Sequence, residues 1–310
     1  MQPEARVNQP NRREVLKWSA LLAGTSILPR NLFAAADENK SRPRKVLFFT
    51  KSSDFEHDVI KRNGEKLGFA ERKLIELGKQ HDLDITASKD GQLFEPGKLA
   101  ELDAIVFYTT GDLTTNGKDK NPPMSAEGKQ ALLDAVRNGV GFVGIHCASD
   151  TFHSRSDREL DPYIQMLGGE FIVHGKQQDA TLKCIDPKFP AASAFADARF
   201  TEEWYSLKNF ASDLHVILAQ DCTGMDGWMY QRPMYPETWA RMHGDGRVFF
   251  TSMGHREDIW KRDDFVALVV AALNWTSRRA EADVSPNISS ATPEANPKAN
   301  PPSTQAANAK

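Results

Sequence analysis

Residues 146–153 hold the densest group of reactive side chains in the chain. His146, Cys147, Ser149, Asp150 and His153 follow directly on the apolar run 141–145. A buried parallel strand reads as a near-continuous hydrophobic run, and open α/β sheets bind ligands beyond the carboxyl ends of such strands. The segment therefore brings two imidazoles, a thiol and a carboxylate to the edge of an expected crevice. Such groups can move protons, ligate a metal or attack a carbonyl. A polar loop whose histidines only bond backbone is the competing interpretation.

Six of the eight histidines lie where strand ends or loops can gather them: His57, His146, His153, His174, His243 and His255. His81 and His215 stand beside ordinary segments and are assigned to surface or packing roles. His146 follows a strand, His174 follows Phe171-Ile172-Val173, and His255 follows residues 249–253 by way of Gly254. Acidic partners are Asp150, Glu202, Glu203 and Glu257. Two or three histidines with one carboxylate and an open position suit a catalytic Zn²⁺ or a similar divalent ion. The expected ligands are His146, His174 and Glu203; a hydrogen-bonded network without metal uses the same residues. The expected catalytic groups are His146, His255, Glu203 and Asp150.

In residues 201–205 paired acids adjoin Trp204 and Tyr205, and Trp239 lies in a second aromatic segment. Carboxylates accept from sugar hydroxyls, and rings cover the apolar faces of sugars. His57, His153, Trp204, Tyr205 and Trp239 are the expected substrate contacts. The opposing interpretation is a solvated turn beside core aromatics.

The elements that must position these groups alternate between strand and helix. Runs at 45–50, 83–87, 104–108 and 141–145 predict strands, and helical spacing predicts helices over 64–80 and 125–138, the second N-capped by Ser125. That order argues for βαβ units and a parallel sheet. Residues 180–185, 216–219 and 248–252 read as further strands, and 263–275 as a closing helix. Residues 43–279 are thus expected to form one α/β domain. Residues 280–310, rich in Ala, Pro, Asn and Ser, are expected to be a disordered tail.

At the other end, Arg12-Arg13 precedes an apolar stretch from Trp18 to Leu28 and then Ala34-Ala35-Ala36. This resembles a twin-arginine export signal over residues 1–36, too short to span a membrane. A periplasmic location, with no membrane span after its removal, is the expectation. Lys and Arg number 39 against 42 acidic residues, without a basic stripe, which argues against a nucleic-acid partner. The three cysteines, Cys147, Cys184 and Cys222, match no zinc-ribbon spacing, and whether the last two pair is not legible.

Taken in order, these marks resemble the ThuA-like (trehalose utilisation) family over residues 45–276. They are His57 after the first strand; Gly144-Ile145-His146 and His153; Leu167-Gly168-Gly169 with Phe171 and His174; Glu202-Glu203-Trp204-Tyr205; Pro236 with Trp239; and Gly246-Arg247-Val248 with Gly254-His255. Glu202 stands where the family more often has Asp. The resemblance implies a flavodoxin-like sheet flanked by helices, similar to class I glutamine amidotransferases, and a role in sugar metabolism through keto-sugar intermediates. In amidotransferases the nucleophilic Cys occupies the elbow that His146 holds here, and Cys147 comes one residue late. His255-Arg256-Glu257 keeps the His-x-Glu pattern.

Three readings follow. One is an exported enzyme acting on a disaccharide or keto-glycoside by hydrolysis, elimination or isomerisation, with a small carbohydrate as partner. The second is a non-catalytic sugar-binding module on the same scaffold. The third is a Cys147–His255–Glu257 amidase. Oligomeric state is not legible from the sequence.

Overall fold

The structure, a computed structural model, describes residues 42–117 and 119–296. The expected export signal and the end of the expected tail, 297–310, lie outside the described residues. In chain order the strands are β1 (Arg44–Phe49), β2 (Leu83–Ser88), β3 (Ala104–Phe107), β4 (Gly141–Ile145), β5 (Glu170–His174), β6 (Gln178–Cys184), β7 (Arg199–Glu202), β8 (Tyr205–Lys208), β9 (His215–Asp221), β10 (Tyr235–His243) and β11 (Gly246–Thr251). The helices are α1 (Phe69–Gln80), α2 (Ala126–Arg137), α3 (Pro162–Leu167), α4 (Asp263–Thr276) and α5 (Ile288–Ala291).

One large sheet has the order β2-β1-β3-β4-β11-β10-β9-β6-β7. Its first five strands pair in parallel, which is the flavodoxin-like 2-1-3-4-5 pattern with β11 as the fifth strand. The remaining pairings are antiparallel. β5 and β8 form a separate two-stranded sheet, with His174 opposite Tyr205.

β3 and β4 are buried along their whole length, as strands covered on both faces must be. α2 starts at Ser125, whose hydroxyl accepts from Gly128 N at 2.9 Å, and buries Leu132, Leu133 and Val136. α1 begins at Phe69 rather than near 64, because residues 63–66 close a tight turn around Gly64, whose φ is +58°. Among the described residues no helix is long and apolar enough to cross a membrane.

Residues 280–296 depart from the expected disordered tail and lie along the domain. Asn287 Oδ1 accepts from Val216 N at 2.6 Å, and its Nδ2 donates to Val216 O at 3.1 Å. Asn296 makes the same two bonds to the backbone of Phe210. Ile288 and Ala295 are buried. Composition could not reveal this order, since two asparagine side chains supply the backbone pairing that a larger apolar face would otherwise have to accompany.

Candidate functional site

The carboxyl ends of β1, β4 and β11 lead to His57, His146 and His255. Glu203 joins them from the corner where the chain leaves β7 for β8. Each residue offers one ligand atom, and the four atoms lie within 4.8 Å of one another. The three rings are arranged edge to face, with centroids 5.0 to 5.3 Å apart. Glu203 Oε2 is 3.0 Å from His255 Nδ1 and 3.5 Å from His146 Nε2.

His146 is fully buried, with φ at +48°. That is a costly conformation for a residue with a Cβ, and such outliers gather at functional sites. It aims the ring from the end of β4 into the group. Gly254, with φ at +113°, turns the chain after β11 so that His255 returns to the same place. Tyr108 Oη and Trp260 Nε1 both donate to the Gly254 carbonyl, at 3.1 and 2.8 Å.

A second layer fixes these positions. His146 Nδ1 lies 2.6 Å from Ser252 O; a carbonyl only accepts, so Nδ1 carries the proton and Nε2 presents its lone pair. Glu202 accepts from Glu203 N at 2.7 Å, Gly254 N at 3.0 Å and His255 N at 3.2 Å. One carboxylate thereby clasps the loops that bear Glu203 and His255. Glu237, also buried, accepts from Thr251 Oγ1, Ser252 Oγ and Met253 N, which holds the stretch carrying Ser252 O.

Burial keeps His57 well below the ordinary imidazole value, and His146 below it. Burial also pulls His255 down, but the adjacent Glu203 carboxylate outweighs it and the net shift is upward. Burial works to raise Glu203, yet His146 and His255 hold it well below the usual carboxylate range. Glu202 goes the other way. Burial pushes it up to about 7, against N–H donors that favour its charged form.

The group fits a metal ion. Buried His57 Nδ1, His146 Nε2 and His255 Nδ1 have no hydrogen-bond partner among the described residues. His255 Nδ1 faces Glu203 Oε2 in an ion-pair contact at 3.0 Å, and a divalent ion would take the place of the proton between them. With metal–ligand bonds of about 2.0–2.1 Å, tetrahedral ligand atoms sit roughly 3.3 Å apart, and the 3.0 and 3.5 Å separations bracket that value. Ser252 O supplies the backbone acceptor that ligating histidines usually have on their other nitrogen.

Several expected site residues fall elsewhere. His174 is at the rim, its side chain 42% exposed and Nδ1 3.5 Å from the second Glu203 oxygen. It also bonds Gly175 O, so His57 and His255 fill the set expected to contain it. Trp204 and Trp239 are fully buried, their indole N–H groups donating to Gln178 O and Leu167 O; neither can meet a substrate. Apolar packing claimed both rings, and their sequence neighbourhood did not distinguish the two cases. Tyr205 is buried but belongs to the site, its ring 4.1 Å from that of His146 and its hydroxyl 3.4 Å from His57 Nε2.

Asp150 and His153 pair with each other beside Glu170, separate from the four. Two carboxylates raise His153 to about 9. His243 lies beside the first residue of β11, the end opposite His255. His215 packs as expected, bonded to Asp186 and Ser285 O. Cys147 is fully buried, which pushes its thiol well up, and Glu257 is exposed and paired with Lys261. The Cys147–His255–Glu257 set is therefore not assembled. All three cysteines are free thiols.

Phe55, Glu237 and Gln177 carry no sequence signal of their own. Phe55 alone lay within reach of one, two residues before His57. Gln177 bonds His255 Nε2 at 3.0 Å and accepts from Arg256 at 2.6 Å.

Residues 45–276 match a family model described as ThuA, trehalose utilisation. No curated protein sequence matches the chain. Among solved structures, a ThuA-like protein from Parabacteroides merdae aligns with TM-score 0.58 and 15% identity, over 79% of this chain and 94% of that one. A ThuA-like protein from Bacteroides uniformis aligns with TM-score 0.52 and 17% identity, over 76% and 91%. At these identities the likeness shows the fold.

Proposed function

The chain belongs to the ThuA, trehalose utilisation, family, and from that premise we propose that it is a carbohydrate-active enzyme with a divalent metal centre. Its substrate class is a disaccharide or keto-glycoside, and its reaction hydrolysis, elimination or isomerisation. The carrying observation is that three buried imidazole nitrogens with no hydrogen bond and one Glu203 carboxylate oxygen lie within 4.8 Å of one another.

His57, His146, His255 and Glu203 would hold the ion. With a further coordination position left open beside these four residues, a divalent ion would polarise a carbonyl or acidify water. The low basicity of buried His57 and His146 keeps their lone pairs free at neutral pH. Ser252 O fixes the His146 ring, and Glu202 fixes the spacing of Glu203 and His255. His174, exposed at the mouth beside Glu203, is the side chain able to take a proton from a substrate carbon and return it to a leaving oxygen. The catalytic roles expected of His146, His255 and Glu203 thus become ligand roles, and proton transfer passes to His174. A binding module resting on Trp204 and Trp239 is disfavoured by their full burial.

Export by the twin-arginine route is part of the same proposal. It carries folded proteins, which suits a chain that takes up its ion before crossing the membrane. The test is elemental analysis of protein purified without chelator, followed by a turnover screen on keto-glycosides. Near-stoichiometric Zn, Mn, Fe or Ni is expected. A wild-type protein that neither holds nor binds such an ion would overturn the metal centre.

A further inference from the structure

Among the described residues Phe55 is the most exposed large apolar side chain, at 61%, ahead of Met242 and Leu93. An isolated exposed ring is ordinary; this one has an unusual mount. Thr110 Oγ1 donates to Phe55 O at 2.7 Å, and Ser53 N donates to Thr110 O at 2.9 Å. The next residue, Glu56, accepts from buried Lys89 at 3.0 Å, and Lys89 also donates to Thr50 O at 2.7 Å. Buried Lys51 bonds Asp119 at 3.1 Å at the base of the same loop.

Both lysines thus tie residues 50–57 to neighbouring segments. The outcome is an apolar ring kept in water and standing edge-on to His57, with centroids 5.0 Å apart at 90°. Gln177 reaches the same four residues through His255, and His174 through Glu203. An apolar face beside exposed amide and imidazole groups is how proteins recognise a sugar ring, which has a carbon–hydrogen face and a hydroxyl periphery.

We propose that Phe55 is the platform of a sugar subsite at the mouth of the His57–His146–His255–Glu203 group, covering the carbon–hydrogen face of a pyranose unit bound there. The inference rests on the carbohydrate reading above. It adds the residue that selects a cyclic sugar.

The test uses the full metal-loaded protein and glucosyl disaccharides, with and without one hydroxyl oxidised to a ketone. Binding is measured calorimetrically for wild type, Phe55→Ala and Phe55→Trp, with metal content as a control. Phe55→Ala should weaken binding about tenfold at unchanged metal content. Phe55→Trp should keep the affinity, and its added emission should change saturably with the disaccharides and not with acyclic mannitol. Affinities within twofold for wild type and Phe55→Ala would overturn the platform and leave the carbohydrate reading standing. A wild-type protein that binds none of these sugars would overturn both.

Discussion

His146 Nδ1 donates to Ser252 O across 2.6 Å, joining the residue after β4 to the residue after β11, its parallel neighbour. The bond settles which nitrogen of His146 faces the centre, and it couples the ring's orientation to the register of two core strands. His146 is therefore expected to be a ligand and His174 a proton carrier. His146→Ala and His255→Ala should each lower metal affinity by more than about a hundredfold with unchanged circular dichroism. His174→Ala should keep the metal and lose turnover. Metal retained in both ligand variants would refute the assignment.

Glu202 has three backbone N–H donors on two loops, so it acts on Glu203 and His255 without touching a ligand atom. Glu202→Gln presents an amide N–H to donors that need an acceptor. Leaving buried N–H groups unpaired costs about 1–3 kcal/mol, roughly 2–4 °C of Tm per kcal/mol in a domain of this size. Metal affinity should fall about 10–100-fold, as for other groups that orient ligands. Calorimetry and metal competition read the two effects separately. Unchanged affinity would mean that the loops hold their spacing unaided.

The parallel half of the fold was legible because buried strands leave unbroken apolar runs, as at 104–108 and 141–145. All four clustered residues were legible: His146 and His255 as polar residues after such runs, His57 in the polar loop beyond the first strand, and Glu203 in the acidic pair beside Trp204 and Tyr205. The partition of roles was not. His174 and His57 look alike in sequence, and only the antiparallel pairing of β5 with β8 puts His174 outside the buried set. Trp204 and Trp239 failed for a related reason, since an aromatic beside acids reads the same whether its ring faces solvent or the core. The ordered stretch 280–296 depends on side-chain bonds from Asn287 and Asn296, which leave no periodicity.

His153 makes stability depend on pH. Its folded value is raised to about 9 from about 6.5 by hydrogen bonding to Asp150 and Glu170. A raised value means that the folded state binds the proton more tightly. The stabilisation is therefore complete below about pH 6.5 and is lost as pH rises through about 9. The side chain is nearly half exposed, so solvent screening reduces the effect to about 1 kcal/mol. Melting temperatures of wild type and His153→Gln should converge between pH 6.5 and 9, with wild type higher at the acid end. Parallel curves across that window would remove His153 as the cause.

Cys147 follows His146 but is fully buried, and its thiol is pushed well up by that burial, with the nearby Asp150 and Glu203 carboxylates adding to the shift. The thiolate is the nucleophile in cysteine chemistry, so Cys147 is expected to be inert in the folded protein. Iodoacetamide at neutral pH should leave activity unchanged and modify chiefly Cys184, the one cysteine that is partly exposed. Peptide mapping after brief labelling identifies the site. Cys147→Ala should keep its kcat while losing about 1–2 kcal/mol of stability to the vacated space. Loss of activity in step with alkylation of Cys147 would restore the thiol to the mechanism and remove His146 from the centre of it.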